Sequence, residues 1–230
     1  MFYDLHMHSC LSPCADDEMT PNNICNMALI KGLELIAVTD HNSVRQQPAI
    51  DKVAKAVGIR VLYGCELESS EAVHCLGLFA RLEDNQKLQP WIDSQMPGIP
   101  NKPDYYGKQQ IMNEFDQEIG IEDQLLIVSL NASLDEVIDE IHRCGGKAVL
   151  AHVLDRKNSI THELGFIPED LKYDGIEVKS EEQRQLVLKL HPWIKDEETV
   201  WFIDSDAHRL TDISEPDHWL RDSDFRKLWG

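Results

Sequence analysis

Met1-Phe2-Tyr3-Asp4-Leu5-His6-Met7-His8 opens the chain. Apolar, β-favouring side chains lead into two histidines one residue apart. Because side chains alternate faces along a strand, His6 and His8 point the same way at a strand's carboxyl end, where one such pair can hold one metal ion. Other short apolar runs end in the same kinds of residue. Glu34 to Thr39 runs into Asp40-His41, Ile59 to Tyr63 into Gly64-Cys65-Glu66, and Lys147 to Ala151 into His152. Thr199 to Ile203 runs into Asp204-Ser205-Asp206-Ala207-His208, Gly175 to Lys179 reads as another strand, and Ala72 to Phe79 as one that carries His74 within it.

Helical patterns fill the spaces between. Thr20-Pro21 has the form of a helix cap followed by proline at the first helical position, with Ile24, Met27 and Ala28 on one face and Gly32 as the stop. Ile50, Val53, Ala54 and Val57 fall at helical spacing before Gly58. Ser133-Leu134-Asp135-Glu136 and Ser180-Glu181-Glu182-Gln183 both have the capping-box form. Strand-then-helix alternation implies an α/β fold of parallel strands covered by helices, whose catalytic groups come from the carboxyl ends of several strands. Leu125 to Leu130 also reads as a strand. Between 81 and 124 the rhythm breaks: Pro90, Pro97, Pro100 and Pro103 interrupt it, and alternation around Phe115-Asp116 predicts a hairpin within Gln109–Glu122. We read that stretch as an insertion or lid within a single domain spanning 1–230.

The charge balance, 22 basic against 41 acidic residues for a net of −19, disfavours a broad electrostatic grip on nucleic acid or an anionic membrane. It does not exclude an anionic substrate, since divalent cations in a pocket reverse the local potential. The six cysteines are scattered, a chain of this size needs no disulfides, and no apolar run has the length of a membrane span. A cytoplasmic protein with reduced thiols is the expectation; oligomeric state is not readable.

His6, His8, His41, Glu66, His152, Asp206 and His208 all fall at strand ends, and a modest offset brings His74 to the same mouth. Any one of these histidines alone reads as a hydrogen-bonded core or surface side chain; together they read as a metal site. Imidazole and carboxylate suit zinc, manganese and iron, and a bridging carboxylate holds two ions together in two-metal hydrolases, a role for which Glu66 is the candidate. His142, His162, His191 and His218 lack neighbouring ligand types and receive no role. A zinc-thiolate site of Cys10 and Cys14 with His6 and His8 lacks the second cysteine pair such sites show, so both thiols read as packing groups.

Asp4-Leu5-His6-Met7-His8-Ser9, Thr39-Asp40-His41, Gly64-Cys65-Glu66, Val73-His74-Cys75-Leu76-Gly77, Ala151-His152 and Asp204-Ser205-Asp206-Ala207-His208 resemble, in order, the motifs of the PHP (polymerase and histidinol phosphatase) family. The resemblance implies a distorted (β/α)7 barrel with two or three divalent transition-metal ions at its mouth. It implies that His6, His8, Glu66 and Asp206 hold one ion, that Glu66, His74 and His152 hold a second, and that His41, His208 and a first-loop residue hold a third. Pro13-Cys14-Ala15 lengthens that loop, which leaves Asp16 or Asp17 as the ligand; counting back from the Thr20-Pro21 helix start selects Asp16.

The expected activity is hydrolysis of a phosphate ester of a small phosphorylated molecule, with a metal-bridging hydroxide as nucleophile and Glu66, Asp206 and His208 at the reacting centre. Arg156, four residues past His152, and Lys179, at a strand end, are the candidate contacts to the substrate phosphate. The alternatives are a nuclease trimming oligonucleotide ends, a carbon-nitrogen hydrolase, and a non-catalytic metal-binding regulatory module.

Overall fold

A computed structural model of the chain describes residues 1–154 and 156–230. Its main sheet is built from β1 (Tyr3–Met7), β2 (Leu35–Val38), β3 (Arg60–Glu68) and β4 (His74–Phe79). After a separate hairpin of β5 (Gln110–Met112) and β6 (Glu118–Ile121), it continues through β7 (Lys147–Leu150), β8 (Gly175–Glu177) and β9 (Val200–Phe202). The order across the sheet is β1-β2-β3-β4-β7-β8-β9. The sheet curls so that the chain beyond β9 returns to β1: Met7 bridges Ala207, and His8 N donates to Ala207 O at 2.9 Å. The result is an α/β half-barrel, the distorted barrel that the motif order implies.

Alternation fills its interior. Tyr3 and Leu5, Leu35 and Ala37, Leu76 and Leu78, Val149 and Ala151, and Val200 and Phe202 form one buried cluster from residues spaced by two. The helix Pro21–Ile30 packs outside, with Ile24 and Ala28 against Ile36, Val38, Ile50 and Val53, while Val137, Ile138 and Ile141 of the helix Leu134–Arg143 cover the other flank. Thr20 and Ser133 cap these two helices as their sequences require, each accepting from the backbone N–H three residues on. No described helix is long and apolar enough to cross a membrane.

Two departures from uniform parallel strands matter for the site. β4 is antiparallel to both β3 and β7. Only five residues link Glu68 to His74, too few for a crossover, so the chain turns back as a hairpin. In β1, Asp4 pairs with Ile36 but Met7 with Val38, so β1 carries one extra residue there. That bulge reverses the alternation, and His6 and His8 turn inward although Asp4 lies on the outer face.

Leu125–Leu130 is not a strand, because β4 is already paired on both sides and offers no free edge. Its polar groups are taken elsewhere: Asn42 Nδ2 donates to Leu126 O at 2.8 Å and Val128 O at 2.7 Å, and Leu130 N donates to Glu68 O at 2.8 Å. The hairpin expected around Phe115-Asp116 is present, and its Asp116 accepts from Thr20 Oγ1 at 2.7 Å and Asn22 N at 3.1 Å.

Candidate metal centre

Glu66 is the hub of the mouth. His74 Nδ1 lies 2.8 Å from its Oε1, His152 Nε2 3.2 Å and His6 Nε2 3.3 Å, while His41 Nδ1 lies 3.1 Å and His8 Nε2 3.4 Å from Oε2. Asp206 Oδ1 is shared by His6 Nε2 at 3.3 Å and His8 Nε2 at 3.2 Å. The reversed direction of β4 puts His74, its first residue, opposite Glu68 at the carboxyl end of β3. His152 and Asp206 reach inward from positive φ values of 29° and 56°, a strained backbone for residues that carry a Cβ. Among the described residues, three groups have ligand atoms close enough for a common ion: His6, His8 and Asp206; His41, Glu66 and His74; and His8, Cys14, His41 and His208.

The donor set fits divalent metal ions. His74 Nδ1 and His152 Nε2 face each other at 3.3 Å while both face the same carboxylate oxygen, and the buried His6 Nε2 and His41 Nδ1, though close to Glu66, make no hydrogen bond among the described residues. Converging lone pairs of this kind are stable when cations stand between them. Outer partners fix the rings. His6 Nδ1 lies 2.7 Å from the buried Glu177 Oε2, which leaves Nε2 to face the site, and Ser12 Oγ, which donates to Asp40, lies 3.2 Å from His8 Nδ1.

Without ions the charges lean on one another. Burial opposes ionisation of Glu66, but His74, His6 and His41 outweigh it and hold the carboxyl well below its usual range. Burial opposes protonation of His6 too, yet the carboxylates of Glu177, Asp206 and Glu66 hold it well above the ordinary imidazole range. For His41, burial and then the charge of His8 push the other way, well below that range.

The PHP domain family model matches residues 4–179, from β1 to just past β8. The chain belongs to the PHP domain family. A 5'-3' exoribonuclease of Haemophilus influenzae is 24% identical over 252 residues, covering 90% of this chain and 89% of that protein. A Bifidobacterium adolescentis protein, provisionally described as a metal-dependent phosphoesterase, superposes with a TM-score of 0.67 at 17% identity, covering 98% of this chain and 94% of its own. The lesion-specific endonuclease Q of Pyrococcus furiosus gives 0.60 at 19% identity, with 90% of this chain covering 48% of that one. At these identities the two structural likenesses carry the fold. As a PHP protein, the chain is a metal-dependent hydrolase of phosphate esters in the broad sense.

The PHP mouth opens into a pocket of about 300 Å³ lined by Cys14, His41, Glu68, Arg156, Lys157 and His208 among others. Arg156 lines this pocket, with its guanidinium on Asp206 Oδ2. Lys179 is not at the pocket: its ammonium is 3.5 Å from Glu177 Oε1 and donates to Ser205 O at 3.4 Å, behind the site. Asp16 is also displaced from its expected position. Its side chain is 56% exposed and faces Arg209 Nε at 3.6 Å, while Asp17 lies 3.6 Å from Lys108 Nζ. The backbone N of Asp16 donates to His208 O, which tethers the loop so that Cys14, two residues earlier, reaches the histidines. Sequence reasoning read Cys14 as a packing thiol, whereas it lines the mouth, and passed over Glu68 and Glu177. An acidic residue inside the apolar strand β8 was the available signal for Glu177, since a buried carboxylate needs a partner.

Proposed function

We propose that this PHP protein hydrolyses the terminal phosphate ester of a small phosphorylated molecule. The observation that carries the reading is the pocket of about 300 Å³, at the low end for ligand sites, with a ligand-rich floor and Arg156 and Lys157 on its wall. That size accommodates one phosphorylated unit, and the net charge of −19 offers no broad track for a polyanion. His6, His8, Asp206 and Glu66 would hold one zinc, manganese or iron ion, and Glu66, His74 and His152 another. Such ions supply Lewis acidity toward phosphoryl oxygens and lower the pKa of water. The protein's own part is orientation. Glu177 fixes the ring of His6, and Arg156, 44% exposed, can swing from Asp206 to pair with the phosphate through charge-assisted hydrogen bonds. Six free cysteines fit a reducing, cytoplasmic setting.

A second reading is favoured by the whole-length likeness to an exoribonuclease: removal of nucleotides from an oligonucleotide end, with only the terminal unit inside the pocket. A screen of metal-replete protein against phosphorylated metabolites, mononucleotides and 5'-phosphorylated oligoribonucleotides separates the two. Preference for oligonucleotides over every small substrate would overturn the leading reading. With the best phosphate substrate, Arg156→Ala and Lys157→Ala are expected to raise KM about tenfold each, the scale of one charge-assisted contact. Unchanged constants in both variants would remove the basic wall from the account.

A further inference from the structure

Cys14 is the one thiol at the mouth; the other five cysteines are buried. Its Sγ and one ring nitrogen each of His8, His41 and His208 lie within 4.8 Å of one another. The His8 ring stacks on both His41 and His208 at 4.4 Å between centroids. An imidazole nitrogen has a single in-plane lone pair, so each nitrogen serves one ion. His8 turns Nδ1 to Ser12 and Nε2 to Asp206 and Glu66, so it belongs with His6 and Asp206. His41 turns only Nδ1 to Glu66, so Cys14, His208 and the other nitrogen of His41 remain. Three protein ligands leave a coordination position open, the arrangement of catalytic sites as opposed to structural ones.

His41 stands between this site and Glu66. Its side chain is only 8% exposed, and its buried Nδ1 faces Glu66 Oε2 at 3.1 Å outside hydrogen-bonding geometry, in a mouth built for cations. A buried nitrogen that faces a carboxylate without a hydrogen bond is destabilising, and a cation beside the ring relieves it. Asp16, the acidic candidate of the same loop, faces Arg209 at the surface.

We propose that Cys14, His41 and His208 form a thiolate metal site that binds a thiophilic divalent ion, zinc in preference to manganese, at the pocket wall. The inference rests on the phosphoesterase reading above and adds the metal selectivity of one position. A thiolate is a soft ligand and selects zinc-like ions, whereas sets made only of oxygen and nitrogen also accept manganese. Binding exchanges one bond for another: the thiol proton leaves to solvent and the sulfur lone pair goes to the ion. Cys14 lines the same pocket as Arg156 and Lys157, so the site borders the place a substrate phosphate would occupy.

Cobalt(II) is the probe. Thiolate ligation of cobalt(II) gives an intense sulfur-to-metal charge-transfer absorption in the near ultraviolet that nitrogen and oxygen ligands do not produce. Metal-free protein titrated to saturation should develop this band, Cys14→Ser should abolish it, and Cys10→Ser and Asp16→Asn should keep it. Cys14→Asp should retain the cobalt stoichiometry, lose the band and shift zinc-against-manganese competition toward manganese by about tenfold or more. Wild-type protein saturated with cobalt but lacking the band overturns the thiolate site, as does a band that survives Cys14→Ser or depends on Asp16, or an unchanged metal preference in Cys14→Asp. Protein that binds no cobalt at all overturns the phosphoesterase reading itself, so the two failures are distinguishable.

Discussion

Glu66 presents two oxygens to five imidazoles, and this crowding sets the first test. An amide is neutral and offers one acceptor, so Glu66→Gln should lose at least one ion per chain and about 100-fold or more of turnover. Elemental analysis of the variant with full metal content would remove Glu66 from the bridging position. Glu177 acts one step further out. With its Oε2 at 2.7 Å from His6 Nδ1, it keeps the ring in the tautomer that presents Nε2 to the site. Glu177→Gln should preserve the fold and weaken metal binding about 10- to 100-fold, and metal-buffered titration that finds wild-type affinity would contradict this role. The convergence of His6, His8, His41, Glu66, His152 and Asp206 was legible because each ends a short apolar run, and strand ends of one sheet meet at one mouth. Cys14 was not legible. It sits in an aperiodic loop whose course depends on the contact of Asp16 N with His208 O, made between positions 192 apart along the chain.

Elements decide which way those residues point, and here the sequence was more ambiguous. The direction of β4 follows from its five-residue link to β3, and that direction alone carries His74 to the mouth without any offset. The bulge in β1 has no signature in Tyr3-Asp4-Leu5-His6-Met7, since simple alternation would put His6 on the face of Asp4. Leu125–Leu130 has strand composition but finds both edges of β4 taken, a competition visible only in three dimensions. Gly64 shows how closely β2 and β3 must approach to align His41 with Glu66. A Cβ there would lie 2.4 Å from Thr39 Cγ2 and 2.7 Å from Val38 O, and the second atom is backbone that no rotamer change can move. Gly64→Ala should therefore cost about 1–3 kcal/mol in chemical denaturation of the metal-free protein and lower metal content as well. An unchanged midpoint would mean that the two strands separate freely.

For the molecule as a whole, the metal cluster should appear as a pH-dependent stability that metal reshapes. In the metal-free fold, burial opposes protonation of His74, but Glu66 and Glu68 outweigh it and raise the imidazole from 6.5 to about 9. Its protonated form is thus favoured by folding, so its contribution is full below pH 6.5 and is lost as pH rises toward about 9. His6 is shifted in the same direction. His208 is displaced oppositely, since burial and then the charge of His8 lower it to about 4; the fold favours its neutral form, and stability falls as pH drops from 6.5 to about 4. His41 and His152 add to that acid limb. Chelator-treated protein should therefore be most stable near pH 6.5, with an alkaline loss of up to about 3 kcal/mol from His74. Metal ligation requires the neutral imidazole, so ions compete with the very protons that stabilise the metal-free fold on this limb. Saturating zinc should abolish the fall in Tm between pH 6.5 and 9, and His74→Asn should reduce that fall in the metal-free protein. A metal-free Tm that is flat or rises across this window, measured at fixed ionic strength, would show that His74 does not carry its proton against Glu66 in the folded state.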